Sequence, residues 1–168
     1  MGREHEVTSG RMPGSARVAR LVLALLVAAI PSLGHGQAPP TVKPCKVDAP
    51  DTWRSYSVQW EGPCEAGNAN GVGALRAYEN HKVVEAFYGR VKEGSLSFGV
   101  LETADGYMAG RFESGRLVKD DDRNTVIKAF REGASGALAA SESFKKKGNQ
   151  SSAKFYKEVA GRLSSQMD

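Results

Sequence analysis

Between residues 56 and 118 the chain alternates apolar and polar residues, and glycines recur behind aromatic or large apolar residues. From residue 56 to residue 64 the even positions are aromatic, apolar or small, and the odd positions from 55 to 61 are polar. A period of two is typical of a β-strand that buries one face. The arrangement returns in weaker form at residues 87–101 and 108–118. We therefore predict antiparallel strands throughout this region.

Turn signals divide these strands from one another. Asn70-Gly71 and Asp105-Gly106 are dipeptides that favour tight hairpin turns, and the polar segment 79–82 also predicts a reversal of the chain. Glycines on a strand leave a bare patch that a neighbouring aromatic ring can cover. Two further turns are expected at Glu93-Gly94 and Ser114-Gly115.

The glycines and aromatic residues form a repeat with three copies. The positions that carry it are Trp60, Gly62, Gly67, Gly71 and Gly73 in the first copy, Phe87, Gly89, Gly94 and Gly99 in the second, and Gly110, Phe112 and Gly115 in the third. In these positions the chain resembles the MORN-repeat family. In the third copy Met108 stands where the family has an aromatic residue, and the second half of that copy is missing.

The resemblance covers residues 56–118 and implies a fold. In the family each repeat of about two dozen residues is a β-hairpin, and the repeats stack into a twisted sheet. A solenoid of so few repeats needs caps at its ends. We expect the segment before residue 56 to cap one end and the C-terminal helices to cap the other.

Beyond residue 118 the apolar residues recur with the spacing of helices. One of Asp120, Asp121 or Asp122 can cap the first helix, and Gly148-Asn149 ends it. We expect an antiparallel helical hairpin over residues 123–166, within a C-terminal region of residues 119–168. The predicted fold class is therefore α+β, with antiparallel hairpins followed by a two-helix hairpin.

Small residues lie on one side of the first of these helices. Gly133 and Gly136 each cost about 1 kcal/mol in a helix, so their presence predicts close approach to another element. The second helix is expected to open at Ser151 or Ser152. Its apolar stripe, which is more typical of a core than of a binding site, consists of Phe155, Tyr156, Val159, Ala160, Leu163 and Met167.

The N-terminal residues 1–36 match a secretory signal peptide. Arg17 and Arg20 precede about ten apolar residues, and small residues follow. This apolar run is shorter than the roughly 20 residues needed to cross a bilayer. Translation starting at Met12 is an alternative that shortens the polar leader. We expect an exported protein, periplasmic or secreted, that begins near Gln37.

The segment 37–55 is rich in proline and polar residues, which predicts an extended lead-in. Cys45 lies in this segment, and Cys64 lies in the first repeat. They are the only two cysteines of the chain, and two cysteines in an exported protein are expected to form a disulfide. With 18 residues between them, this bridge is worth about 3 kcal/mol in the chain-entropy model.

Charge and composition exclude a nucleic-acid-binding role. The formal net charge is +4, and the four arginines and two glutamates before Gly36 carry +2 of it, so about +2 remains. Nucleic-acid binding requires a clustered basic stripe, and Lys145 to Lys147 is the only basic run. We expect no nucleic-acid partner.

No combination of residues indicates catalysis or a cofactor. His81 is the only histidine after the predicted signal peptide, which makes a catalytic triad implausible. Two cysteines without a nearby histidine are too few for a zinc site. Two carboxylates, such as Glu61 and Glu85, remain an alternative for hydrolysis of envelope polymers if they lie about 5–9.5 Å apart.

We expect a non-catalytic exported scaffold or binding module that presents the MORN-like sheet to a protein or to a component of the cell envelope. The alternatives are the carboxylate-dependent hydrolase and, by resemblance to the family, a module that contacts anionic lipid weakly. A homo-oligomer is left open. The candidate binding surface is the sheet face opposite Phe87 and Met108, with Tyr88, Arg90, Lys92, Tyr107 and Arg111.

Overall fold

The structure is a computed structural model that describes residues 44–120 and 122–167. The predicted signal peptide, residues 1–36, lies outside the described residues, as does the first part of the lead-in. The predicted α+β class is confirmed: a six-stranded sheet and a two-stranded hairpin precede two helices. The strands are β1 Ser57–Glu61, β2 Cys64–Glu65, β3 Asn68–Ala69, β4 Gly71–Glu79, β5 Lys82–Lys92, β6 Ser95–Thr103, β7 Gly106–Glu113 and β8 Arg116–Leu117.

The large sheet is antiparallel and has the strand order β1-β4-β5-β6-β7-β8. Each strand from β4 onwards pairs with its neighbour in sequence, so short turns connect the strands. The hairpin β2-β3 replaces the predicted turn at Asn70-Gly71. Its tip lies at Ala66 and Gly67, where both residues have positive φ, and Gly71 begins β4 instead.

The two helices form a hairpin with a distinct cap at each start. Helix α1 spans Arg123–Lys146 and helix α2 spans Gln150–Ser164. Asp122 caps α1, and the hydrogen bonds from the Asn124 amide and the Thr125 hydroxyl hold the pKa of its carboxyl below the usual range. Asn149 caps α2 by accepting a hydrogen bond from the Ser152 amide at 3.0 Å. The predicted start at Ser151 or Ser152 was therefore wrong, since Asn149 already supplies the capping oxygen.

Four glycines form a row across the middle of the sheet. Gly73 pairs with Gly89, Gly89 with Gly99, and Gly99 with Gly110. The last three have φ values of +152°, +156° and +155°, which side chains rarely adopt. Aromatic rings cover the Cβ side of three of these glycines: Trp60 lies against Gly73, and Phe87 lies against Gly89 and Gly99, with Phe87 Cζ 3.1 Å from the position that a Cβ of Gly89 would take. The predicted packing of aromatic rings over strand glycines is confirmed.

Helix α1 rests on the opposite side of this row. A Cβ on Gly136 would lie 2.5 Å from both the Gly73 carbonyl oxygen and the Gly89 amide nitrogen. A Cβ on Gly133 would lie 2.8 Å from Val100 Cγ2. Both glycines thus allow the helix to touch the sheet backbone, as their presence in a helix predicted.

The lead-in crosses the other face of the sheet and does not cap an end. The Lys46 amide donates to the Gly67 carbonyl at 2.9 Å, and the Asp48 amide donates to the Gly94 carbonyl at 2.8 Å. Both acceptors belong to hairpin tips. The expectation of two end caps was wrong, because each flanking segment covers a face of the sheet where the apolar side chains need burial.

Trp53 anchors the lead-in. It lies in a short 3-10 helix at Asp51–Trp53 and is 1% exposed. Its side chain packs in a core with Leu75 and Phe87, and its indole Nε1 donates a hydrogen bond to Glu85 Oε2 at 2.6 Å. The predicted extended lead-in therefore ends in a helical turn that places this large side chain against the sheet.

The predicted disulfide between Cys45 and Cys64 is confirmed, with a Cα–Cα distance of 5.9 Å. It joins the lead-in to β2, close to where Lys46 meets the first hairpin tip. A disulfide indicates an oxidising, exported environment. Within the described part of the chain, no helix is both long and apolar enough to cross a membrane.

Candidate functional site

The sheet face predicted to bind a partner is covered by the chain's own helices. Tyr88 is 2% exposed and lies in the core between the sheet and the helical hairpin. Its ring meets the Tyr156 ring edge-on with a centroid distance of 6.4 Å. Burial, followed by the nearby Glu102 carboxylate, raises the pKa of the Tyr88 phenol well above its usual range. The interpretation of Tyr88 as an exposed contact residue was wrong, since α1 docks over it.

The other four candidates do not form one free surface. Arg90 Nη2 lies 2.7 Å from Glu132 Oε1 of α1, an ion pair that fastens helix to sheet. Tyr107 is half-buried, and its ring meets Phe130 edge-on at 5.8 Å. Lys92 and Arg111 are exposed, one near the end of β5 and the other on β7. Because Arg90 and Tyr107 contact α1 and Tyr88 is buried beneath it, the predicted residues do not form one continuous surface for a partner.

One candidate site among the described residues is a groove of about 370 Å³ between the β4-β5 and β6-β7 hairpin tips and α2. We call it the α2 groove. Two exposed apolar side chains line it, Val83 at 52% and Phe155 at 49% exposure. Apolar walls with a few convergent polar groups are typical of binding sites. Tyr88, Glu102 and Arg162 also line the groove.

Polar groups from three elements meet at Glu102, a residue of the α2 groove. Arg162 Nη2 of α2 lies 3.8 Å from Glu102 Oε1 of β6, and the Tyr107 hydroxyl donates to the same oxygen at 3.4 Å. The side chains of Arg162 and Glu102 are 48% and 30% exposed. Both charges can therefore accept a new partner while they remain paired with each other.

The two carboxylates considered for hydrolysis lie on opposite faces of the sheet. Glu61 faces the helices, where it accepts hydrogen bonds from Ser143 and, at 2.5 Å, from Lys147 Nζ. Glu85 faces the lead-in and is held by Trp53. Two acids separated by a sheet cannot flank one glycosidic bond. In residues 44–120 and 122–167 no three His, Cys, Asp or Glu side chains are grouped to hold a metal ion.

An arginine-aromatic cluster strengthens the contact between sheet and helices. The Arg76 guanidinium lies 5.3 Å from the ring centroids of both Tyr78 and Phe144. Phe144 in turn stacks on Tyr156 at 5.4 Å. Such cation–π contacts contribute about 0.5–2 kcal/mol each. We interpret this cluster as structural, since its members contact one another across the interface between the sheet and the helical hairpin.

Sequence reasoning missed the α2 groove because it placed Phe155 in the buried stripe of α2. The buried residues of the helix are Ala153, Tyr156, Val159, Ala160 and Leu163. Phe155 lies beside this stripe and projects into the groove. A single large apolar residue outside an otherwise regular stripe is the signal that identifies it.

Comparison with known proteins finds no matching family model, no similar curated protein and no similar solved structure. The resemblance to MORN repeats therefore rests on the sequence positions that carry it. The choice of the α2 groove as a candidate site rests on its geometry.

Proposed function

We propose that the chain is an exported, non-catalytic module that binds a protein of the cell envelope through the α2 groove. The observation that carries this proposal is the pair of exposed apolar side chains, Val83 and Phe155, in one groove. Both broad faces of the sheet are occupied by the chain itself. Exposed apolar side chains next to polar ones are typical of protein-interaction sites.

The groove defines the chemistry of the expected partner. A large apolar side chain of the partner would insert between Val83 and Phe155. Polar groups beside it would contact Arg162 and Glu102, which are partly exposed and already oriented by each other. A protein segment supplies both kinds of group within a few residues, so we favour a protein over a lipid surface. The MORN-like sheet then serves as the rigid support that holds α2 and the hairpin tips in place.

Replacing Phe155 with serine is expected to weaken partner binding about 30-fold. A central aromatic anchor contributes about 2 kcal/mol or more to a protein interface. The measurement compares wild-type and variant proteins immobilised and exposed to envelope extract of the host, followed by quantitative mass spectrometry. A protein enriched by the wild type and depleted by Phe155→Ser would then be purified, and its dissociation constant measured with both.

Leu138→Ser is the matched control. Leu138 lies on α1 and is 48% exposed, against 49% for Phe155, so both changes remove a similar exposed apolar side chain from a helix. We expect Leu138→Ser to retain the same partner with unchanged affinity. Equal loss in the two variants, or loss in neither, would contradict a role for the groove.

A further inference from the structure

A second groove lies beside the same hairpin tips, on the sheet face that the lead-in crosses. Its volume is about 260 Å³, and we call it the lead-in groove. Thr52 lines it from the 3-10 helix of the lead-in, Leu101 lines it from β6, and Met108 lines it from β7. Met108 is 41% exposed, so a large apolar side chain is open to solvent here as it is in the α2 groove.

The two grooves meet at the hairpin tips. Glu85 and Thr103 line both of them. The ladder between β5 and β6 ends at the pair of Ala86 and Glu102, whereas each of these strands remains paired within its own hairpin closer to the turn. The described strand pairing therefore does not extend between the two tips. One extended segment of a partner can lie across them and reach both grooves.

The lead-in groove is acidic. The carboxylates of Glu85 and Asp105 line it, and no lysine or arginine is among the described residues that do so. Neither carboxylate forms an ion pair within the described part of the chain. The Trp53 indole donates to Glu85 Oε2 at 2.6 Å, which orients this carboxylate without neutralising its charge. Asp105 is exposed in the β6-β7 turn.

These walls fit the side chain of a lysine or an arginine. The methylene stem of such a side chain packs on apolar surface while its charged end stays polar. Leu101 and Met108 supply that apolar surface, and the two carboxylates accept charge-assisted hydrogen bonds from the charged end. The groove is thus complementary in both shape and charge to a long basic residue.

We propose that the partner carries a lysine or an arginine directly next to its large apolar residue, in an extended segment that crosses the hairpin tips. The proposal rests on the proposed function, because the apolar residue is the one that enters the α2 groove. Neighbouring side chains of an extended chain point to opposite sides. When the apolar residue contacts Val83 and Phe155, the basic residue is therefore directed to Glu85 and Asp105 on the other face of the sheet.

The charges of the two grooves decide which groove takes the basic residue. In the α2 groove Glu102 Oε1 already lies 3.8 Å from Arg162 Nη2, so a basic side chain would approach a like charge there. In the lead-in groove no described cation balances the two carboxylates. Opposite charges across an interface favour the right partner, and like charges reject the wrong one.

Two synthetic peptides test the proposal on the purified protein. Both share one Ser/Thr/Gly background with a central phenylalanine, which is followed by lysine in one peptide and by glutamate in the other. Fluorescence anisotropy of the labelled peptides gives their dissociation constants. A hydrogen bond to a charged group contributes about 1.5–3 kcal/mol, so we expect the Phe-Lys peptide to bind at least about tenfold more tightly than the Phe-Glu peptide.

The variant Phe155→Ser separates failure of this proposal from failure of the α2 groove. Equal binding of the two peptides, weakened for both by Phe155→Ser, would overturn the basic residue and leave the α2 groove in place. Peptide binding that Phe155→Ser does not change would contradict the groove itself. Absence of binding by either peptide up to about 1 mM, the range of weak complexes, would overturn both.

The double variant Glu85→Gln/Asp105→Asn tests the two carboxylates. Glutamine keeps an acceptor for the Trp53 indole, and asparagine before Gly106 keeps a dipeptide that favours the turn, so circular dichroism should match the wild type. We expect the affinity for the Phe-Lys peptide to fall about tenfold, to the level of the Phe-Glu peptide. A double variant that binds the Phe-Lys peptide as tightly as the wild type does would overturn the proposal.

Glu113→Gln/Glu142→Gln is the matched control. It removes the same two negative charges from exposed residues that line neither groove. We expect it to bind the Phe-Lys peptide with wild-type affinity. An equal loss in both double variants would show that the peptide responds to net charge alone, which would also overturn the proposal.

Discussion

Replacing Gly136 with valine is expected to lower the free energy of unfolding by about 3 kcal/mol, because overpacking a closely fitted core costs about 1–3 kcal/mol and occasionally more. The first added carbon would lie 2.5 Å from two backbone atoms, one of Gly73 and one of Gly89. Backbone atoms in the middle of a sheet cannot rotate away as a side chain can. Helix α1 must therefore move outward, which also loosens the core beneath it.

Gly161→Ala is the matched control for this change. Gly161 lies inside α2, and no atom lies within 4 Å of the position of its Cβ. Alanine there should raise the free energy of unfolding by about 0.5–1 kcal/mol through helix propensity alone. Urea denaturation followed by circular dichroism measures both variants. A Gly136→Val protein as stable as the wild type would show that α1 does not rest on the glycine row.

Replacing Trp53 with alanine is expected to cost about 3–5 kcal/mol of stability, the usual range for deleting a fully buried large aromatic side chain. Trp53 is the main contact of the lead-in with the sheet, and its loss also removes the hydrogen bond to Glu85. The disulfide at Cys45 holds only the other end of the lead-in. We expect residues 46–56 to detach and to expose Leu75 and Phe87.

Trp53→Phe separates packing from hydrogen bonding. It keeps an aromatic ring but loses the donor to Glu85, so a cost of about 1–3 kcal/mol is expected. Urea unfolding gives the stabilities, and binding of a hydrophobic dye to Trp53→Ala reports the exposed apolar face. If Trp53→Ala unfolds at the same urea concentration as the wild type, the lead-in is not part of the folded core.

The sequence predicted the elements better than their arrangement. Alternation and turn dipeptides located most of the hairpins, since both are local signals, but the turn predicted at Asn70-Gly71 lies at Ala66 and Gly67 instead. The glycine row was not visible, because Gly73, Gly89, Gly99 and Gly110 become neighbours only through the register of four strands. That register depends on turn lengths and on bulges, such as the one between Arg90 and Val91. The small residues of α1 predicted close contact with another element, but they could not identify which element that is.

Burial by distant segments explains the main errors. Tyr88 looked like an outward residue of an alternating strand, and nothing local shows that a helix beginning 35 residues later, at Arg123, covers it. In the same way the prolines of the lead-in predicted an extended segment, and nothing local indicated that Trp53 is buried against the sheet. The α2 groove depends on Val83, Glu102 and Arg162 from three different elements. Only their positions in the fold bring them together.

Photocrosslinking in the intact cell envelope tests most directly whether partner binding occurs at the α2 groove. A photoreactive phenylalanine analogue is placed at Phe155 in one protein and at Lys92, an exposed residue of the sheet face first predicted to bind, in another. Binding at the groove predicts a protein adduct from position 155 and none from position 92. An adduct from position 92 with none from position 155 would contradict it.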